Sequence, residues 1–113
     1  MNAMSNLDLI CQRVVDCYKK TYGDDIQSIY LYGSYARGDF DEESDIDIAA
    51  IVKGNRLDLQ NKCRDSVWTV ANEIDLEYDI ITSPIVIPFD EFSKYKDELP
   101  YYMNIVKEGK RLD

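Results

Sequence analysis

A Gly-Ser pair and two aspartates lie within one short stretch of the chain, which reads GSYARGDFDEESDID and ends at Asp47. Asp45 and Asp47 flank a single isoleucine at the start of an apolar run, so on a strand both carboxylates would point to the same side. Ten residues separate Ser34 from Asp45. Paired carboxylates can bind a divalent metal, and a glycine lets the backbone approach a phosphate closely. This combination predicts nucleotidyl transfer.

The Gly-Ser pair is the candidate phosphate-binding element. Backbone N–H groups at a strand-to-helix turn form an anion site, and the Ser34 hydroxyl beside Gly33 can donate a hydrogen bond to a phosphate oxygen. Taken alone, a Gly-Ser pair usually forms an ordinary turn. The stretch is not a P-loop, because Asp39-Phe40 stands where that loop requires Lys followed by Ser or Thr. Arg37 can contact phosphate, and it can equally be a surface arginine beside acidic residues.

The paired aspartates are the candidate metal ligands. Aspartate is a poor strand former, so Asp45 and Asp47 at an otherwise apolar strand indicate a function. A solvated strand face is the alternative, because the preceding loop is acidic as well. A calcium loop beginning at Asp39 is disfavoured, since Ser44 occupies the position where such a loop needs glycine.

A third acidic ligand is expected from a neighbouring strand, which we predict over residues 77–82. Asp75, Glu77 and Asp79 alternate along the chain, so all could share one face. Asp79 lies deepest in the apolar stretch, directly before two isoleucines. We therefore favour Asp79 as the third ligand, with Glu77 and Asp75 as the alternatives.

The elements that position these residues follow from the spacing of apolar side chains. Helical spacing predicts long helices over residues 7–22 and about 56–73. Runs rich in β-branched and aromatic residues predict strands at Ile26–Tyr32, 45–52 and 77–82, with 85–87 extending an edge. Between them we expect a turn or short helical turn at 34–38 and an acidic loop at 39–44. The last helix in the tail is expected to begin at Pro100 and end at Gly109.

This order of elements predicts one α/β domain with a short mixed sheet flanked by helices. The domain is expected to cover residues 4–113, with residues 1–3 set aside as a remnant of cloning. A chain of 113 residues with 45% hydrophobic and 31% charged residues is typical of a globular protein.

Charge and hydropathy limit the partners. The net charge of −9 argues against a nucleic-acid partner, because nucleic acid attracts basic surfaces. No apolar run approaches the roughly 20 residues of a membrane helix, and no signal peptide is recognised. We expect a cytoplasmic protein that acts without nucleic acid or membrane.

Cysteine and histidine usage limits the chemistry. Cys11, Cys17 and Cys63 have no CxxC spacing, so they are predicted to be free thiols in a reducing compartment. The chain contains no histidine, which excludes a Ser-His or Cys-His nucleophile and a histidine-bearing zinc site. Acid–base chemistry must therefore fall to a carboxylate, lysine, tyrosine or water.

The stretch GSYARGDFDEESDIDIAAIV resembles the signature of the minimal nucleotidyltransferases, relatives of the DNA polymerase beta superfamily. Gly33-Ser34 and Asp45-Ile46-Asp47 match its Gly-Ser pair, spacer and Asp-x-Asp, and residues 104–109 resemble the close of small members. The resemblance implies that Asp45 and Asp47 bind Mg²⁺ bridging the triphosphate of ATP. It also implies that Gly33 and Ser34 hold the β- and γ-phosphates. Asp79 would complete the metal site or take the proton of the acceptor.

The same resemblance implies a reaction and a partner. An acceptor hydroxyl attacks the α-phosphorus in line and pyrophosphate leaves. Many small members resemble antitoxins paired with a HEPN-type helical RNase toxin, which receives AMP on a tyrosine. By this analogy we expect Mg²⁺-dependent transfer of AMP from ATP to a partner protein within a hetero-oligomer.

Two other hypotheses for the function remain open. One is a nucleotidyltransferase acting on a small molecule of the aminoglycoside type, although such relatives carry a further helical domain. Another is a module with a degenerate site that neutralises its partner by contact alone. Changing Asp45 and Asp47 to Asn together would leave the function of such a module intact.

Overall fold

The computed structural model describes residues 3–113, with side chains from Asn6 onward. Helix α1 spans Ala3–Tyr22, and Gly23 ends it with a φ of 57° that a side chain would disfavour. A single 3₁₀ turn, Gly23–Asp25, leads into the sheet. The predicted first helix and its stop at Gly23 are confirmed.

The sheet has four strands in the order β3-β2-β1-β4. The strands are β1 (Ile26–Tyr32), β2 (Ile46–Val52), β3 (Thr82–Pro88) and β4 (Lys110–Arg111). Strand β1 pairs antiparallel with both β2 and β4, whereas β2 pairs parallel with β3. The predicted α/β class and short mixed sheet are confirmed, and β4 is an addition that the sequence did not suggest.

Strand β2 is the centre of the molecule, because helices cover both of its faces. Ile46, Ile48, Ala50 and Val52 are fully buried in a core shared with α1. Ala49 and Ile51 alternate with them and are buried in a second cluster on the opposite face. Continuous apolar sequence is expected of a strand buried on both faces. Only Asp47 near the beginning of β2, together with Asp45 just before the strand, departs from this pattern.

One long helical run covers the α1 side of the sheet. It consists of α3 (Arg56–Lys62), a π-helical segment (Cys63–Val67) and α4 (Trp68–Tyr78). Asn55 begins the run as its cap, because its side-chain oxygen accepts hydrogen bonds from the N–H groups of Leu57 (2.9 Å) and Asp58 (3.3 Å). At its other end the run continues to Tyr78, beyond the predicted end at residue 73.

The prediction of a strand over residues 77–82 is wrong. Ile74 is fully buried and Tyr78 packs against the same core four residues later, so helical burial continues to the end of α4. Asp79 then caps α4 in the left-handed conformation, with a φ of 53°. The strand begins only at Thr82 and runs through Pro84, which an edge strand tolerates. The predicted extension at 85–87 is thus part of β3 itself.

The opposite face of the sheet carries the two last helices, α5 (Phe89–Tyr95) and α6 (Pro100–Glu108). Phe92 and Ile105 bury against Ile51 and Ile87. Helix α6 begins at Pro100 and is followed by Gly109, as predicted. This second layer is shorter than the first and leaves the beginning of β2 only partly covered.

A single helical turn, α2 (Ser34–Arg37), follows β1, and the acidic loop 39–45 leads to β2. The three cysteines are free thiols, as predicted. Cys11 and Cys63 are buried, and burial raises the pKa of each thiol to about 11. Among the described residues, no helix is long and apolar enough to cross a membrane.

Candidate active site

Gly33 and Asp47 are in contact, and this contact joins the two sequence motifs. Gly33 has a φ of 75° and a ψ of −157°, a region that side-chain-bearing residues rarely adopt. A Cβ atom at this position would lie 2.4 Å from the Asp47 Oδ2 atom. The glycine is therefore required twice, for the turn out of β1 and for the space that the carboxylate occupies.

The loop after Gly33 is held by its own backbone. The Gly33 carbonyl accepts hydrogen bonds from the N–H groups of Ala36 and Arg37, each at 3.1 Å. The Ser34 carbonyl accepts one from Gly38 at 2.9 Å. The first N–H groups of a helical turn, here those of Ser34 and the next residue, have no carbonyl acceptor within the turn. Such free N–H groups are suited to a phosphate.

A stacked pair of aromatic rings, Tyr35 and Phe40, packs against the segment that follows Gly33. Tyr35 is buried and its ring stacks on Phe40, with ring centroids 4.3 Å apart and planes 8° from parallel. The stack ties α2 to the acidic loop, so the segment between the Gly-Ser pair and the aspartates is packed. The predicted short helical turn and acidic loop are confirmed in position.

Asp45 and Asp47 are half-buried and electrostatically coupled. Burial raises the pKa of the Asp47 carboxyl, and the negative charge of Asp45 raises it further, while the positive charge of Arg37 acts in the opposite direction. Strand alternation places both aspartates on the face that carries Ala49 and Ile51 further along β2. Two carboxylates that repel each other in a half-buried site favour a cation between them.

The structure places Asp79, the predicted third ligand, apart from the aspartate pair. Among the described residues, no group of three or more His, Cys, Asp or Glu residues is arranged to bind a metal ion. Asp79 is exposed and lines a cavity of about 440 Å³ beside Ile46, Leu7 and Ile10 of the α1 face. Because alternation puts Asp47 on the opposite face of β2, Asp79 does not join the aspartate pair.

The two alternatives to Asp79 have structural partners. Asp75 accepts a hydrogen bond from the N–H of Thr82 through its Oδ1 atom (2.8 Å), which fixes the beginning of β3 against α4. Glu77 forms an ion pair with Arg13 of α1 at 2.7 Å. Both residues lie on α4, so their alternation in the sequence does not place them on one face of a strand.

On the β3 side, the neighbour of Asp47 is a serine, Ser83. It is the parallel neighbour of Asp47 in the β2–β3 register and is half-buried. Neighbouring residues of adjacent strands point to the same side, so the Ser83 hydroxyl faces the same side as the aspartate pair. Sequence reasoning missed Ser83, because the displaced strand prediction left it in a turn.

Arg37 lies at the border of the site. Its guanidinium donates hydrogen bonds to Asp39 and to Glu108 of α6, each at 3.2 Å. These two bonds raise the pKa of Arg37, so the side chain stays charged. Arg37 therefore lies near the candidate phosphate site, and its positive charge is paired with the carboxylates of Asp39 and Glu108.

A pair of tyrosine hydroxyls completes this face, and sequence reasoning gave neither a role. The hydroxyl of Tyr32, the cross-strand partner of Asp47, lies 2.6 Å from the hydroxyl of Tyr101 on α6. The rings meet edge to face, with centroids 6.0 Å apart. Burial, the bond to Tyr101 and the charge of Asp47 all raise the pKa of Tyr32, so it stays protonated.

Comparison with known proteins agrees with this geometry. The family model described as polymerase beta, nucleotidyltransferase matches residues 12–112. A protein of Methanocaldococcus jannaschii, MJ0604, is 34% identical over 107 residues, which cover 95% of this chain and 98% of the relative. MJ0141 of the same organism is 38% identical over 70% of this chain and 77% of its own. The names of both mark them as candidate protein adenylyltransferases.

Solved structures share the fold at low sequence identity. A crystal structure of a toxin–antitoxin with AMP-PNP has a TM-score of 0.54 and 19% identity, over 89% of this chain and 70% of the other. A mutant of the toxin–antitoxin pair MntA–HpeT has a TM-score of 0.54 and 17% identity, with the same coverage. The family match spans nearly the whole chain and includes the Gly33–Asp47 contact. The chain belongs to the polymerase beta family and is a nucleotidyltransferase.

Proposed function

We propose that this protein transfers AMP from ATP to a tyrosine hydroxyl of a partner protein in an Mg²⁺-dependent reaction. The observation that carries the proposal is the contact between Gly33 and Asp47. It brings the candidate phosphate loop, Gly33–Gly38, next to the aspartate pair, where a metal-bound triphosphate would contact both. The names of the two relatives support AMP as the group and protein as the acceptor.

The donor set fits Mg²⁺. This ion prefers carboxylate oxygens together with water and substrate phosphates, and Asp45 and Asp47 supply one carboxylate each. Burial and the charge of Asp45 raise the pKa of Asp47, and a bound cation would offset both effects. When bound, Mg²⁺ would neutralise charge on the triphosphate.

The other residues of the site would position the nucleotide. The free N–H groups at Ser34, together with its hydroxyl, would donate hydrogen bonds to the β- and γ-phosphates. Gly33 would allow these phosphates to approach the backbone. Arg37 would contribute positive charge once it releases Glu108 or Asp39. Asp79, predicted to complete the metal site, lines a cavity with Leu7 and Ile46 on the α1 side of the sheet.

The proposed partner is a HEPN-type toxin, with this chain as the antitoxin of a hetero-oligomer. Two observations support it: the fold neighbours come from toxin–antitoxin complexes, one of them with the ATP analogue AMP-PNP, and the signature resembles that of small antitoxin members. Asp45 and Asp47 are only half-buried, so an incoming acceptor hydroxyl could approach them.

A second candidate function has one observation in its favour. Within the described residues the aspartate pair has no third acidic ligand, since Ser83 stands beside Asp47. A site without catalytic competence would be consistent with neutralisation of the partner by contact alone. The same experiment separates the two functions.

The experiment is labelling of a lysate of the source cell with α-labelled ATP and Mg²⁺ in the presence of the purified protein. We expect one labelled protein with the wild type and none with Asp47→Asn. Asp24→Asn is the matched control, because Asp24 is exposed just before β1, whose other end leads to the site.

Two results would argue against transfer of AMP to a protein. If neither wild type nor Asp47→Asn labels a protein with any nucleoside triphosphate, while both still bind the same partner, the contact-only function is correct. If the wild type labels an added aminoglycoside and no protein, the acceptor is a small molecule.

A further inference from the structure

Tyr101 is a tyrosine of this chain that reaches the candidate active site. Tyr101 lies in the first turn of α6 and is 51% exposed to solvent. Its hydroxyl nevertheless lies 2.6 Å from that of Tyr32. Tyr32 directly precedes Gly33 and pairs across the strands with Asp47, so the hydroxyl pair lies on the same face as the aspartates.

Helix α6 is held in this position at both ends. Tyr101 contacts Tyr32 near its beginning, and Glu108 accepts a hydrogen bond from Arg37 near its end. Both contacts reach residues that flank the Gly-Ser pair, one on each side. These two contacts hold the beginning and the end of α6 against the residues that flank the Gly-Ser pair.

The other tyrosines near this face differ from Tyr101 in their surroundings. The Tyr102 hydroxyl donates a hydrogen bond to Glu91, which also pairs with Arg56. Tyr30 lies further from the site along β1, with the guanidinium of Arg111 over its ring at 5.9 Å from the centroid. Tyr101 differs from these residues because it combines an exposed side chain with a hydroxyl on the face of the aspartate pair.

We propose that Tyr101 is itself an acceptor, so that the protein adenylylates its own chain at this hydroxyl. The inference rests on the proposed function, because it uses the same transfer of AMP to tyrosine. The Tyr101 oxygen forms a bond to the α-phosphorus of ATP. The bond from that phosphorus to the bridging oxygen of the β-phosphate breaks, pyrophosphate leaves with the electron pair, and water takes the hydroxyl proton.

The reaction takes place within one molecule. The hydroxyl and the site are already on the same chain, so the rate constant does not depend on protein concentration. The product carries AMP on the Tyr101 hydroxyl, beside Tyr32 and on the face that carries the aspartate pair. Automodification therefore competes with transfer to a partner and ends after one transfer.

The test is incubation of the purified protein alone with ATP and Mg²⁺, followed by peptide mass spectrometry. We expect one AMP group on Tyr101. Tyr101→Phe abolishes automodification, and Tyr102→Phe, the matched neighbour, retains it. Both variants keep the ring and hence the packing. In a mixture of Tyr101→Phe with Asp47→Asn, neither chain is modified, because the reaction stays within one molecule.

The outcomes separate this inference from the proposed function. If the lysate partner is labelled while Tyr101 stays unmodified, or if AMP appears on Tyr32 or Tyr102 instead, Tyr101 is not an acceptor and the proposed function stands. Labelling of Asp47→Asn in the mixture contradicts the reaction within one molecule. If neither the partner nor the chain itself is labelled, both proposals fail.

Discussion

Strand β2 has one neighbour on each side, and the two bring different chemistry to Asp47. On the β1 side, Tyr32 leads directly into Gly33, whose missing side chain makes room for the carboxylate. On the β3 side, Ser83 offers a hydroxyl where a third acidic ligand would fit. The site is thus assembled mainly from the contiguous stretch between Tyr32 and Asp47, and the long-range strand supports it from the side.

The largest effect is expected from Gly33→Ala, which tests the β1 side. Its Cβ would overlap the Asp47 carboxylate at 2.4 Å, and the backbone would keep an unfavourable positive φ. We expect AMP transfer to fall by at least about 100-fold, because displacement of a catalytic group by about 1 Å has effects of this size. The measurement is the initial rate of AMP transfer.

Gly38→Ala is the matched control for this variant. Gly38 also has a positive φ, of 86°, but a Cβ there would meet nothing within 4 Å. Both variants should lose roughly 1–2 kcal/mol from the backbone alone. Only Gly33→Ala should lose the activity. Equal loss of activity in both would show that the shape of the loop, and not the contact with Asp47, is what matters.

The β3 side is tested by Ser83→Asp, which places an acidic residue beside Asp47 in the parallel register. An added carboxylate raises the affinity of a site for divalent cations, so we expect Mn²⁺ to bind up to about tenfold more tightly. Ser93→Asp on the exposed surface of α5 adds the same charge elsewhere and should change nothing. Unchanged Mn²⁺ affinity in Ser83→Asp would mean that Ser83 does not face the aspartate pair.

A smaller effect is expected from Glu108→Gln, which removes the ion pair between Glu108 of α6 and Arg37 of the phosphate loop. Arg37 would lose one of its two carboxylate partners and become more available to a triphosphate. Exposed ion pairs are weak, so we expect the KM for ATP to fall by about two- to fivefold with little change in kcat. Glu98→Gln, an exposed residue ahead of α6, should leave the KM for ATP unchanged. A rise in KM would indicate that Glu108 positions Arg37 for the nucleotide.

The smallest effect is on stability and concerns Asp47 without metal. Its folded-state pKa is raised, so the folded chain keeps this proton at pH values where the unfolded chain has lost it. The free energy of unfolding therefore falls as pH rises from the ordinary carboxyl range through the raised pKa. Asp47→Asn should remove this fall and be more stable than wild type at neutral pH in a chelator. Urea unfolding at several pH values measures this pH dependence of the free energy of unfolding. An Asp47→Asn variant that is less stable than wild type at neutral pH would contradict the expectation.

The first half of the chain could be predicted well because its signals are local. Strand β1 was predicted with the bounds that the structure shows, and Gly23, Gly33 and the acidic loop fall where turn-forming residues indicate. The contact between Gly33 and Asp47 follows from a turn and a paired strand that are close in the sequence. Local patterns of this kind need little information about the rest of the fold.

The positions of Asp79 and Ser83 relative to Asp47 could not be predicted, because they depend on the long-range register of β3. The residues from Ile74 to Ile81 are compatible with both helix and strand when only their types are considered. Burial of Ile74 and Tyr78 against the α1 side decides for helix, and this moves β3 by several residues. A parallel strand has no hairpin to fix its register, so Ser83 opposite Asp47 is visible only in the structure. The contacts of α6 with Tyr32 and Arg37 are of the same long-range kind.

Binding of Mn²⁺ in the presence of a non-hydrolysable ATP analogue tests the central claim most directly, because it needs no acceptor. Electron paramagnetic resonance would compare wild type, Asp47→Asn and Asp79→Asn at the same concentrations. We expect wild type and Asp79→Asn to bind the metal–nucleotide complex equally and Asp47→Asn to lose binding. Retained binding by Asp47→Asn, or equal loss in Asp79→Asn, would contradict a site built from the aspartate pair and the Gly33 turn.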